Sequence, residues 1–159
     1  MKKVQYFKRF EKDVLSICLT YDLFEDNESE VQKILEILKL FCLEELSIRS
    51  EFFVIKDHSF LNEVENTVGH KADILFTRKR FFGTSEYRKL SIAFEGPILS
   101  KVVKLAIEHG EMLEIDCLRE EIIVIKIALN DNDGHHFKFN TSNYDIKNIK
   151  ANIDQILNG

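Results

Sequence analysis

The chain has 159 residues, 45% apolar and 31% charged, with six glycines, one proline, no tryptophan and a formal net charge of −5. That composition excludes a collagen, a low-complexity linker and a disordered tail, each of which lacks the apolar content for a core. A chain of this length buries roughly 70% of its unfolded surface, enough for one self-sufficient folding unit over residues 1–159.

Residues 3–10 allow two readings, since Val4, Phe7, Phe10 and Val14 recur at threes while the aromatic Tyr6-Phe7 pair suits a strand, and a short strand is the expectation. Val14 to Tyr21 then alternates cleanly, with Leu15, Ile17, Leu19 and Tyr21 on one face and Ser16, Cys18 and Thr20 on the other, the pattern of a half-buried strand. After an acidic loop, Ser29-x-x-Gln32 reads as a capping box. It opens a helix bearing Val31, Ile34, Leu35, Leu38, Phe41 and Cys42. Ile48 to Lys56 reads as a strand, and Ser59 caps a short helix with Leu61, Val64 and Val68 that Gly69 ends. Ala72 to Thr77 and Tyr87 to Phe94 are predicted strands joined by the loop 78–86. Gly96-Pro97 starts a helix whose apolar residues, Ile98 to Ile107, surround most of it. Met112 to Cys117 and Ile122 to Leu129 form a hairpin, and Asn130 to Gly134 turns into a strand over Phe137 to Asn140. Ser142 caps a last amphipathic helix with Ile146, Ile149, Ile153, Ile156 and Leu157.

Strands in sequence joined by short turns pair antiparallel, and the interspersed helices cover them. The expected class is therefore α+β: one domain, with a mainly antiparallel sheet of six to eight strands and four helices packed on it. No apolar run exceeds four residues, as at Ile122 to Ile125, against the roughly 18 to 20 of a membrane-spanning helix. The basic opening Met1-Lys2-Lys3 is followed by Lys8, Arg9, Glu11, Lys12 and Asp13 where a signal peptide carries its apolar stretch, so a cytoplasmic location is expected. Cys18, Cys42 and Cys117 are odd in number and unclustered, which argues for buried thiols over a disulfide framework or a zinc knuckle.

Charge falls in blocks. Residues 2–12 and 78–89 are basic, the second through Arg78, Lys79, Arg80, Arg88 and Lys89, while 22–30 and 108–121 are acidic. An acidic chain is a poor general binder of nucleic acid, whereas acidic patches suit a basic protein partner. The segment Asp22-Leu23-Phe24-Glu25-Asp26, followed by Glu28, sets an apolar residue among carboxylates, the form of a protein-binding hot spot. Asp22, Phe24, Glu25, Asp26 and Glu28 are accordingly the expected partner-binding residues.

Other constellations carry less. Asn130-Asp131-Asn132-Asp133-Gly134-His135-His136 imitates the middle of a calcium loop, but Leu129 and Asn140 occupy its two end positions. Adjacent histidines on a strand also face opposite ways, and Asp-Gly between apolar strands is a hairpin signal. An alternative reading remains a metal-dependent hydrolase or nuclease using Asp131, Asp133, His135 or His136, with Asp133, Asp145 and Lys147 as a loose carboxylate set. A third is nucleic-acid binding through Arg78, Arg80, Phe81, Phe82 and Arg88. Glycine-rich phosphate loops and nucleophile elbows are missing from the sequence. The expectation is a small cytosolic, non-catalytic binding protein, such as an inhibitor of the immunity-protein type, with no cofactor and no metal.

Overall fold

A computed structural model describes residues 4–8, 13–41, 45–54, 59–81, 83–93 and 97–159. Among them are eight strands: β1 (Gln5–Lys8), β2 (Val14–Thr20), β3 (Glu45–Val54), β4 (Asp73–Arg80), β5 (Gly83–Ala93), β6 (Leu113–Arg119), β7 (Ile122–Asp131) and β8 (Gly134–Asn140). Four helices accompany them: α1 (Asn27–Lys39), α2 (Ser59–Val68), α3 (Pro97–His109) and α4 (Ile146–Asn158). The order of strands and helices along the chain is the one the periodicity predicts. All strands join one antiparallel sheet in the order β1-β2-β8-β7-β6-β3-β5-β4, so the α+β expectation holds.

Register explains the core. Leu15, Phe139, Ile125, Cys117, Leu46 and Ile92 pair strand to strand in one row. Ile17, Phe137, Ile127, Ile115, Ile48 and Leu90 form the next. Alternation therefore gives the sheet one apolar face, which the helices cover. Helix α3 packs on α1, α2, β5 and β7, burying Leu99, Val102, Val103, Ala106 and Ile107. Helices α1 and α4 add Ile34, Ile37, Leu38, Ile149, Ile153 and Leu157 to the same cluster.

The opposite face carries a polar patch across β2, β8, β7 and β6. Cys18 pairs with His136, His136 with Ala128 and Ala128 with Glu114; one register step away, Ser16, Lys138, Lys126 and Asp116 make the neighbouring row. Cys18 is fully buried yet lies outside the hydrophobic cluster, because its side chain points to this second face.

Three boundaries differ from expectation. Asp26, not Ser29, caps α1: its Oδ1 accepts the Ser29 N–H at 2.7 Å, so Ser29 supplies an amide from within the first turn. Asp145, not Ser142, caps α4 by accepting the Asn148 N–H at 3.2 Å, while Ser142 sits in a preceding 3-10 turn capped by Asn140. The expected loop 78–86 is mostly strand, for β4 and β5 stay paired from Arg78↔Ser85 to Arg80↔Gly83. Beyond Arg49 strand β3 has no β6 partner, so β3, β5 and β4 run on as a three-stranded extension. Thr77, Arg78 and Lys79 are exposed on it, so this run carries no apolar alternation to reveal it as strand. The expected positions of Cys42, Ile55, Lys56, Phe82, Phe94 and Gly96 lie outside the described residues.

Candidate functional site

The acidic segment leaves the end of β2 and crosses the β7–β8 turn. A 3-10 turn at Tyr21–Leu23 buries Leu23, and Phe24 packs half-buried on the core with its ring edge-on to His135, the ring centroids 5.8 Å apart. Phe24 thus pins the loop to the body. Around it Asp22, Glu25, Asp26 and Glu28 are exposed, and no lysine or arginine among the described residues lies within salt-bridge distance of them. Asp22 accepts a hydrogen bond from Thr20 Oγ1, and Asp26 is occupied in part by its capping role. Glu28 continues along α1 to Gln32 and Glu36, a ridge with a groove on either side. One groove, lined by Asp26, Glu28, Lys33, Glu36 and Ile156, runs toward α4; the other, lined by Glu28, Val31, Leu35, Lys104 and Glu108, runs toward α3.

Glu30, counted with the acidic run in sequence, is drawn inward instead. Its Oε1 lies 2.5 Å from His135 Nε2, with Glu30 8% exposed and His135 wholly enclosed. Asn130 N–H donates to His135 Nδ1 at 3.1 Å, which leaves the ring proton on Nε2, donated to the Glu30 carboxylate. Asn130 itself stands in the left-handed region at φ 57°, at a register irregularity of β7, and its amide donates to the carbonyls of Ala106 and Glu111. The bulge therefore ties the hairpin to the end of α3.

The two histidines face opposite ways, as alternation requires. His135 belongs to the core side. His136 lies on the polar face, where its Nε2 is 2.6 Å from Asp133 Oδ1, 3.9 Å from Asp131 Oδ2 and 3.8 Å from Cys18 Sγ. The expected association of Asp131 and Asp133 with a histidine is thus formed through His136 alone. Cys18, 118 residues away in sequence, joins by strand pairing, and only knowledge of the β2–β8 register would have placed it there. This is not a nucleophile relay: sulfur and carboxylate meet the same imidazole nitrogen, whereas a relay needs the carboxylate on the other. Burial and then the charges of Asp133 and Asp131 push the Cys18 thiol above its ordinary value, so it keeps its proton. Tyr21, whose hydroxyl donates to the Asp131 carbonyl at 2.5 Å, is likewise raised by burial and by Glu30, Asp131 and Asp133. This end of the molecule is electrically negative.

The remaining constellations separate. Asp133 and Asp145 lie beyond opposite ends of the seven-residue strand β8, about 20 Å apart at the usual rise per residue. The basic hairpin sits on the far edge of the sheet, five strand positions from β2 to β5, or about 24 Å. There Phe81 is 95% exposed. Arg88, however, is held by Glu86 at 2.5 Å and by the buried Glu65 at 3.7 Å, which removes it from a single-strand platform. No helix among the described residues is long and apolar enough to cross a membrane. Comparison with known proteins finds no family model, no curated protein and no solved structure that matches the chain.

Proposed function

We propose that this chain is a non-catalytic binding protein that captures a basic protein partner at the acidic end built from Asp22, Glu25, Asp26 and Glu28. Phe24 serves it by fixing the loop. One observation carries the reading: these carboxylates are exposed, lack a cationic partner among the described residues, and stand a sheet's width from the basic hairpin that might have neutralised them. Clustered exposed carboxylates beside shallow grooves steer a basic surface into contact and fix its orientation. A small inhibitor of the immunity type is the form that fits. Its place would be the cytosol, where the free thiols Cys18 and Cys117 stay reduced.

The test compares capture from a host lysate by the wild-type chain and by the variant D22N/E25Q/D26N/E28Q, in which asparagine at 26 keeps the helix cap. The wild type should retain a basic protein that salt elutes, and the variant should release it while melting at an unchanged temperature. Retention of the same protein by both, or of none by the wild type, overturns the reading.

A further inference from the structure

We infer that Cys18, Asp133 and His136, with Asp131 beside them, form a site for a divalent metal of the zinc class on the polar face of the sheet. The proposal is independent of the acidic-end reading, because it concerns the opposite side of the β8 backbone from Glu30 and needs no protein partner.

The donor set comes first. One sulfur, one imidazole nitrogen and one carboxylate oxygen, from β2, β8 and the turn before β8, all lie within 4.8 Å of one another. A mixed sulfur, nitrogen and oxygen set selects a borderline metal such as zinc or cobalt over magnesium or calcium, which prefer oxygen alone. Spacing comes second. With bonds of about 2.0 Å to nitrogen and 2.3 Å to sulfur, tetrahedral geometry puts those two donors about 3.6 Å apart. Cys18 Sγ and His136 Nε2 stand at 3.8 Å. Asp131 Oδ2, 3.9 Å from the same nitrogen, lies outside this three-donor set and adds negative charge beside it. The Asp133 oxygen, now hydrogen-bonded at 2.6 Å, has only to open by about 0.7 Å toward its tetrahedral separation from nitrogen as the ion replaces the shared proton.

The third observation is Cys18 itself. It is wholly buried, yet it packs with none of the helix-side core, and the polar atom its sulfur meets is the histidine nitrogen. A cysteine used as a small hydrophobe belongs with the apolar cluster, as Cys117 does. The site also has a mouth. A groove lined by Ser16, Asp116, Lys126, Asp131, His136 and Lys138 opens from it along the polar face. Metal binding would displace the thiol proton to solvent and leave a thiolate–metal bond, with the imidazole bonding through Nε2 and carrying its proton on Nδ1.

Cobalt(II) added to the chelator-treated full chain tests this directly. One equivalent should bind with a near-ultraviolet thiolate-to-cobalt absorption that zinc abolishes by displacement. C18S should lose that absorption, C117A should keep it, and D133N, at the surface, and H136A, partly exposed, each checked for fold by circular dichroism, should weaken binding at least tenfold. Failure of cobalt to saturate at one equivalent, an absorption that survives C18S, or unchanged affinity in both D133N and H136A would overturn the site.

Discussion

Replacing Glu30 by alanine removes the partner of His135 at the one place where α1 is tied to β8 by a buried charge-assisted hydrogen bond of 2.5 Å. Hydrogen bonds to charged groups contribute about 1.5–3 kcal/mol, and the orphaned Nε2–H adds its own desolvation cost. E30A should therefore lose about 3 kcal/mol, a large part of the 5–15 kcal/mol typical of a domain. E30Q keeps an acceptor carbonyl and should lose about half as much. H135F, which strands the carboxylate among apolar neighbours, should cost 3–5 kcal/mol. E30L/H135F removes both partners and should recover much of that loss, so the cycle closed with E30L and H135F should report a coupling of at least about 2 kcal/mol. Urea unfolding followed by circular dichroism measures each value, with the slope checked for constancy. An E30A loss below about 0.5 kcal/mol, or single costs that simply add in the double variant, would refute the assignment of this pair.

Further outcomes follow from backbone and burial. A Cβ at Gly134 would fall on the Leu19 carbonyl, 2.8 Å from its carbon and 2.9 Å from Thr20 Cα, so G134A should lower the melting temperature and disturb the β2–β8 pairing seen by amide exchange. The β6–β7 turn holds Glu120 and Glu121 at φ 50° and 64°, and relieving the left-handed strain with E121G should stabilise the protein by about 1 kcal/mol in the same urea assay. Burial, and after it the charge of Asp116, drives the Cys117 thiol far above the ordinary range of a cysteine. The folded state thus holds a proton that the unfolded state releases: the contribution is full below pH 9 and falls by about 1.4 kcal/mol per pH unit above it. C117A should flatten that alkaline loss, and Cys117 in the folded protein should react with thiol reagents only at the rate of unfolding.

Much of the fold was legible because the sheet has one helix-covered face. Alternation at Leu15, Ile17 and Leu19, and again at Leu90 and Ile92, follows from the apolar set lying beneath the helices, although Ser16 and Cys18 are buried on the other face as well. Legibility failed at Thr77, Arg78 and Lys79, whose exposed side chains leave the strand pairing with no apolar period to mark it. It failed also at helix starts, where Asp26 and Ser29, or Asn140, Ser142 and Asp145, are equally good caps and only the backbone path chooses among them. The opposed directions of His135 and His136 were readable from pairing geometry alone. The partners of those histidines were not: Glu30 reaches His135 across 105 residues and Cys18 reaches His136 across 118, contacts that tertiary register creates and local sequence does not encode. Phe24, read in the sequence as an apolar residue among carboxylates, lies half-buried against the core with its ring beside that of His135.

Capture through exposed carboxylates makes affinity depend on ionic strength, and the sharpest measurement is the dissociation constant of the captured partner between 50 and 300 mM salt, about a factor of two in Debye length. Wild-type affinity should weaken steeply, mostly through a slower association rate, while D22N/E25Q/D26N/E28Q should show a nearly flat profile. A wild-type affinity that does not move with salt would contradict capture through these carboxylates.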